Sequence, residues 1–283
     1  HSLCQGIRGR RVRMLAWRDE DGESMGTQQT VRLAALGDIH CGKTSQGAFQ
    51  ELFRQITEAA DVLAICGDLT DYGLPEEARV LAREITSGLR IPAVAVLGNH
   101  DYESGKQAEV TQILCDAGLH MLDGDAFETG GVAFAGARGF GGGFGRHALA
   151  AWGEETIKRF VHEALDEALK LESALARLRA PHRIAVLHYS PIRETVEGEP
   201  PEIFAFLGSS RLEEPLLRYP VNAVFHGHAH RGQAQGKLRD GTPVYNVSLP
   251  VLRQAFPDQP AFHLMTLTAP AEPAELQTNQ PVR

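Results

Sequence analysis

Seven side chains of metal-ligating type stand directly after apolar runs in this 283-residue chain: Asp38, His40, Asp68, Asn99, His188, His228 and His230. Residues 31–36 lead into Gly37-Asp38-Ile39-His40, residues 62–66 into Gly67-Asp68, and residues 91–97 into Gly98-Asn99-His100-Asp101. Residues 184–187 lead into His188, and residues 221–225 into His226-Gly227-His228-Ala229-His230. Hard cations prefer carboxylate and carbonyl oxygen while borderline ones accept imidazole, so this mixed set suits Mn²⁺, Fe²⁺ or Zn²⁺ better than Ca²⁺. Seven ligands are too many for one zinc; with a carboxylate shared, they supply about four contacts to each of two ions. In Asp-x-His and His-x-His, alternate residues of an extended segment point the same way, so each pair can grip one side of a two-ion cluster.

Short Val- and Ile-rich runs closed by glycine read as buried strands, and ligands collect at the carboxyl edge of strands in open α/β sheets. Helices are predicted over 46–60, from Pro75 to the strand before Gly98, from a Ser104/Gln107 capping box to 117, over 154–179 and over 212–219. Two βαβ units in a row imply parallel strands at the start. Segments 119–122, 126–129 and 132–137 read as antiparallel strands extending or ending that first sheet. Asp240-Gly241 is a two-residue turn signal joining 235–238 to 242–247, and 262–267 is expected to close the second sheet. The expected architecture is an α/β fold, a four-layer αββα sandwich with two mixed sheets face to face and helices outside.

The chain carries 28 basic and 36 acidic residues, net −8. Five arginines and no acid fall in residues 1–18, so the remainder is still more acidic and would repel a polyanion. Nucleic acid is therefore disfavoured as a partner, and the acidic body agrees with a small substrate. No apolar stretch approaches the ~20 residues of a membrane span, so no membrane association is expected. Cys4, Cys41, Cys66 and Cys115 lack CxxC spacing and read as free thiols in a reducing cytoplasm. Residues 1–24 read as a disordered basic appendage with Met25 as a natural start, 25–268 as one catalytic domain, and 269–283 as a poorly ordered tail. Nothing in the sequence speaks to oligomeric state.

The five blocks, in this order, resemble those of the calcineurin-like metallophosphoesterases: Asp-x-His, Gly-Asp, Gly-Asn-His-Asp/Glu, an isolated His and Gly-His-x-His. The resemblance spans residues 31–267. It implies that Asp38, His40 and His230 hold one metal, that Asn99, His188 and His228 hold a second, and that Asp68 bridges them. It also implies in-line attack on phosphorus by a metal-bridging hydroxide. His100 would face the substrate phosphate as a catalytic group, and Asp101 would orient its imidazole.

Within the family, Tyr72 and Asp101 disfavour the Ser/Thr protein phosphatases, which carry Arg and Glu there. Asp71 stands where purple acid phosphatases have Tyr and recombination nucleases tend to have His, and His100 where lipid A pathway hydrolases have Arg. Gly67-Asp68-Leu69-Thr70-Asp71-Tyr72-Gly73 together with the other blocks looks most like the bacterial class III cyclic-nucleotide phosphodiesterases. The resulting expectation is a phosphodiesterase of small substrates. The alternatives are a phosphomonoesterase of the same fold and a scaffold that kept the fold and lost the activity.

His226 lies one residue before the Gly-His-x-His block and reads as structural. The other histidines, His120, His147, His162, His182 and His263, read as surface or core residues. The glycine-rich stretch 138–145 lacks the Lys-Ser/Thr pair of a phosphate loop and reads as a flexible loop from which Arg138 or His147 could approach a phosphate. Tyr189, Ser190 and Asn246 are candidates to line the cleft, and substrate choice is expected to lie in loops 140–152 and 194–210.

Overall fold

The computed structural model describes residues 30–268, so the readings of 1–24 as a basic arm and of 269–283 as a tail lie outside the described residues. Four parallel strands, β1 (Thr30–Leu36), β2 (Val62–Cys66), β3 (Ala93–Val96) and β4 (Leu119–Met121), lie side by side in that order. Helices α1 (Gln50–Ala59), α2 (Pro75–Gly88) and α3 (Gln107–Asp116) connect them. β2 and β3 are buried along their whole length, which is why they read as unbroken apolar runs.

Pro75 occupies the first turn of α2, where its missing N–H is harmless. Helix α1 begins four residues later than its periodicity predicts. The amides of Gly47 and Phe49 donate instead to the Glu84 carboxylate of α2, at 2.7 and 3.1 Å. The Ser104 hydroxyl likewise does not cap α3; it donates to the Gly73 carbonyl at 2.5 Å, and the helix starts at Gln107.

The second sheet contains six strands. β5 (Asp125–Thr129) is antiparallel to β6 (Val132–Gly136), followed by the parallel strands β7 (His182–Val186) and β8 (Ala223–His226). The hairpin β9 (Gln235–Lys237) and β10 (Pro243–Asn246) completes it through β8, its turn at Asp240-Gly241 as expected. Segments 126–129 and 132–137 thus begin this sheet instead of ending the first, and β4 is parallel to β3.

The last strand, β11 (His263–Thr268), also differs from expectation, pairing with β1 of the first sheet from Thr30↔Thr268 to Ala35↔His263. The cause lies just after β10. Gly37 donates to the Val247 carbonyl at 2.8 Å and Leu249 to the Gly37 carbonyl at 3.0 Å, which ties the chain to the end of β1. A short helix not foreseen from sequence, α7 (Leu249–Ala255), then turns it back along the open edge of that strand. Pro250 lies in its first turn, where it does not break a helix.

Alternation along β6, β7 and β8 makes the layers. Val132, Phe134, Ile184, Val186 and Phe225 share one buried cluster with β1–β3. Ala133, Ala135, Ala185, Leu187 and Val224 turn the other way, onto Leu171, Ala174 and Leu175 of α4 (Glu155–Leu175) and Leu216 of α6 (Glu213–Arg218). The result is the expected αββα sandwich. Gly136 lets the sheets close on each other, since a Cβ there would stand 2.6 Å from Leu122 Cβ and 3.0 Å from Val96 Cγ1.

Candidate metal centre

Loops from both sheets meet at the carboxyl ends of β1, β2, β3, β7 and β8. Asp38 and His40 follow β1, Asp68 follows β2, Asn99 and His100 follow β3, His188 follows β7, and His228 and His230 follow β8. Backbone hydrogen bonds lace the first two loops together: Asp38 to the Gly67 carbonyl at 3.0 Å and His40 to the Asp68 carbonyl at 2.9 Å. Four of these residues, Asp38, His40, Asp68 and His228, have left-handed backbones with φ of 58, 46, 47 and 71°. Such angles are uncommon outside glycine and are held only where surrounding contacts over-determine them.

Three groups of possible ligand atoms result, each within 4.8 Å: Asp38/His40/His230, Asp68/His188/His228, and His40/Asp71/His100, which shares His40 with the first. In the second group, His188 Nδ1–H donates to the Cys66 carbonyl at 2.9 Å, which leaves Nε2 with its lone pair. That nitrogen faces Asn99 Oδ1 at 2.9 Å and Asp68 Oδ1 at 3.4 Å. Three lone-pair atoms converge there, an arrangement a cation satisfies. His228 Nε2–H donates to the Phe206 carbonyl at 3.0 Å, which leaves Nδ1 for a ligand. Burial, with His188 nearby, pushes the His228 pKa down to about 3, so the ring is neutral.

In the first group, neither ring nitrogen of His40 has a hydrogen-bond partner although both are buried. Its Nε2 stands 3.7 Å from Asp68 Oδ2 and its Nδ1 3.6 Å from Asp71 Oδ1. Burial lowers the His40 pKa despite the nearby Asp68 and Asp38 carboxylates. His230 Nε2–H donates to Asp38 Oδ1 at 2.8 Å, and that bond raises the His230 pKa. A cation binding the same two atoms would release the proton.

Asp68 thus turns Oδ1 toward His188 and Oδ2 toward His40, one oxygen to each of the first two groups. Its Oδ1 is fixed by the His100 amide at 2.9 Å. Gly98 is required at this approach, because a Cβ on it would run into the Asp68 carboxylate. The orphaned nitrogens of His40, the converging lone pairs around His188 and the neutral His228 together fit a pair of divalent cations.

The structure brings His100 beside this cluster, its ring edge-on to His40 at 4.4 Å between centroids. Its Nδ1–H donates to the backbone carbonyl of Asp71 at 2.7 Å. Asp101 does not orient the ring, contrary to the role implied by the resemblance. Its fully buried carboxylate accepts from the amides of Leu69, Thr70 and Gly98 at 3.1, 2.8 and 2.8 Å, and from the Thr70 hydroxyl at 2.6 Å. Asp101 therefore ties the loop carrying Asp68 to the turn carrying Asn99. Burial and the Asp68 charge raise its pKa to about 6 even against those donors.

Sequence reasoning missed Asp71, whose carbonyl holds His100 and whose carboxylate approaches His40; the Asp-x-x-Asp spacing from Asp68 was the available signal. Asn246 was foreseen only as a cleft residue. Its amide donates to the Ala229 carbonyl at 2.7 Å, which fixes the segment between His228 and His230. His226, buried and bonded to Thr195 Oγ1 at 2.8 Å, is structural as expected, and Ser190 joins the same network.

Arg138 is engaged within the protein, stacked over Tyr102 at 4.4 Å and paired with Glu163 and Glu167. His147 lies beside Arg146 on the outside of the fold. The glycine-rich loop is pinned, not free: Gly142 and Gly143 donate to the carbonyls of Ala205 and Gly208 at 2.7 and 2.9 Å. Those amides are spent and cannot cradle a phosphate. Cys41 and Cys66 are free and buried, but Cys115 is disulfide-bonded, which corrects the reading of four free thiols. Among the described residues no helix is long and apolar enough to cross a membrane.

A family model described as calcineurin-like phosphoesterase matches residues 31–232. The fold is similar to phosphopantetheinyl hydrolase from Mycobacterium tuberculosis, with a TM-score of 0.58 and 14% identity over 84% of this chain and 96% of that one. A weaker likeness is to TT1561 of Thermus thermophilus, with a TM-score of 0.48 and 14% identity over 84% of this chain and 99% of that one. No curated protein matches by sequence.

Proposed function

Because the chain belongs to the calcineurin-like phosphoesterase family, we propose that it hydrolyses a small phosphodiester with two divalent metal ions. Asp38, His40 and His230 would hold one ion, Asn99, His188 and His228 the other, with Asp68 between them. The observation that carries this reading is the Asp68 carboxylate, one oxygen turned to each ligand group. When bound, such a pair of ions supplies a nucleophile from water at neutral pH and charge stabilisation for the phosphoryl oxygens. The donor set favours Mn²⁺, Fe²⁺ or Zn²⁺ over Ca²⁺.

The chain's own groups do the rest. With Nδ1–H committed to the Asp71 carbonyl, His100 meets substrate through Nε2, where it stabilises developing charge or gives a proton to the leaving oxygen. Asp101 and Asn246 act on position, each fixing the backbone beside a ligand. The narrower reading, a cyclic nucleotide as the diester, rests on the resemblance of the sequence blocks.

The test is metal analysis together with hydrolysis of bis(p-nitrophenyl) phosphate and of p-nitrophenyl phosphate in added Mn²⁺. Two equivalents of metal and cleavage of the diester are expected. Cleavage of the monoester alone would replace the phosphodiesterase with a phosphomonoesterase. Neither bound metal nor hydrolysis would identify a scaffold.

A further inference from the structure

A cavity of about 340 Å³ opens onto Asn99 and His228 and is walled by Phe140, Phe160, Tyr189, Ile203, Phe206 and Leu207. Its volume falls near the lower end of the range for small-molecule sites, ~300–1,000 Å³. No lysine, arginine or carboxylate lines it. Phe160 of α4 stands 4.9 Å from the Phe140 ring and 5.9 Å from the Phe206 ring, and Tyr189 stands 4.4 Å from the His228 ring. Phe206 is 57% exposed and Ile203 38%, an apolar wall open to solvent beside a polar cluster.

We infer that this cavity receives an uncharged, planar aromatic group of the phosphoester, such as an aryl ring or a nucleobase, while the phosphoryl end lies on the metal-ligand cluster. The inference rests on the function proposed above and adds the class of the ester group. Two observations support it beyond apolarity. The cavity is continuous with two ligand residues, so a group seated there lies beside a phosphorus held by them. The wall is also built: the glycine-rich loop is bonded to α5 (Phe204–Leu207) through the Ala205 carbonyl. The same α5 holds His228 through the Phe206 carbonyl. A ring entering against Phe206 therefore presses on the segment that orients a metal ligand. An apolar floor without a counter-charge rejects ester groups bearing further phosphates or carboxylates, whose burial would go uncompensated.

The test compares binding of phenylphosphonate and methylphosphonate to the Mn²⁺-loaded protein by calorimetry, in wild type and in Phe160→Ala and Phe206→Ala. The Phe206 carbonyl survives its own substitution, so His228 keeps its partner. Phenylphosphonate is expected to bind about tenfold more tightly than methylphosphonate, and either variant is expected to erase most of that difference, with methylphosphonate binding unchanged in Phe160→Ala. Equal binding of the two phosphonates in wild type would overturn the inference and leave the phosphoesterase reading standing. Absence of Mn²⁺ uptake would overturn both. A preference for the phenyl group that persists in both variants would show that the ring seats elsewhere, and would also overturn it.

Discussion

The two sheets contribute differently to the metal centre. The first supplies both carboxylates among the proposed ligands, Asp38 and Asp68, with oxygens held by backbone amides of His228 and His100. The second supplies imidazoles only, His188, His228 and His230. His188 and His228 have their tautomers set by carbonyls. The exchange is mutual, because His188 of the second sheet is oriented by the Cys66 carbonyl of the first, and Asp38 is fixed by an amide of the second. One sheet brings charge and the other brings aimed lone pairs. Neither loop set makes a site without the other, so the seam between the sheets must be rigid.

The largest effect is expected from breaking the charged side. Asp68→Asn should drop phosphoester hydrolysis to background and lower bound metal below two equivalents, measured by elemental analysis beside the rate. His100→Ala comes next. Turnover should fall by about 10²–10⁴-fold while metal content is retained, which separates a group acting on substrate from one holding an ion. Full activity in that variant would remove His100 from the chemistry.

On the imidazole side, burial lowers the His226 pKa to about 4 in the folded chain, against about 6.5 unfolded. In that window the unfolded chain binds the extra proton. Stability is therefore fully present above pH ~6.5 and lost as pH falls toward ~4, by on the order of 2–3 kcal/mol. Metal-free wild type should show this fall in thermal unfolding, and His226→Gln should show a shallower one. The smallest effect concerns the seam itself. Gly136→Ala, pushing on Leu122 and Val96, should cost about 1–3 kcal/mol of stability and reduce activity less than either ligand-side change.

Much of this was legible because buried parallel strands announce themselves. Residues 62–66 and 93–96 are apolar throughout, and the polar residue after each has to lie on the edge where loops gather. The side of the sandwich taken by β11 was not legible. It is decided by hydrogen bonds between Gly37 and residues 247 and 249, which no local pattern records.

The role of Asp101 was hidden for a similar reason. A carboxylate one residue from a histidine beside the ligand cluster invites a dyad, but its oxygens are claimed by the amides of Leu69, Thr70 and Gly98. The aromatic cavity draws on loops 140–152 and 194–210, foreseen as the place of substrate choice, yet its shape depends on Phe160 from a helix read only for its core stripe. Cys115 shows the limit of composition. Spacing alone marked it as a free thiol, although it is disulfide-bonded.

The left-handed backbones at Asp38, His40, Asp68 and His228 shape how this centre should be dissected. An alanine placed at any of the four loses a donor atom and must also adopt a conformation that disfavours it by about 1–2 kcal/mol, so alanine scanning would overstate the loss from the ligand alone. Asparagine tolerates that region far better, which makes the Asn series the cleaner ruler. For the same reason, loading cations should raise the melting temperature as well as switch on chemistry, because the ions bind the arrangement that holds these four torsions in place.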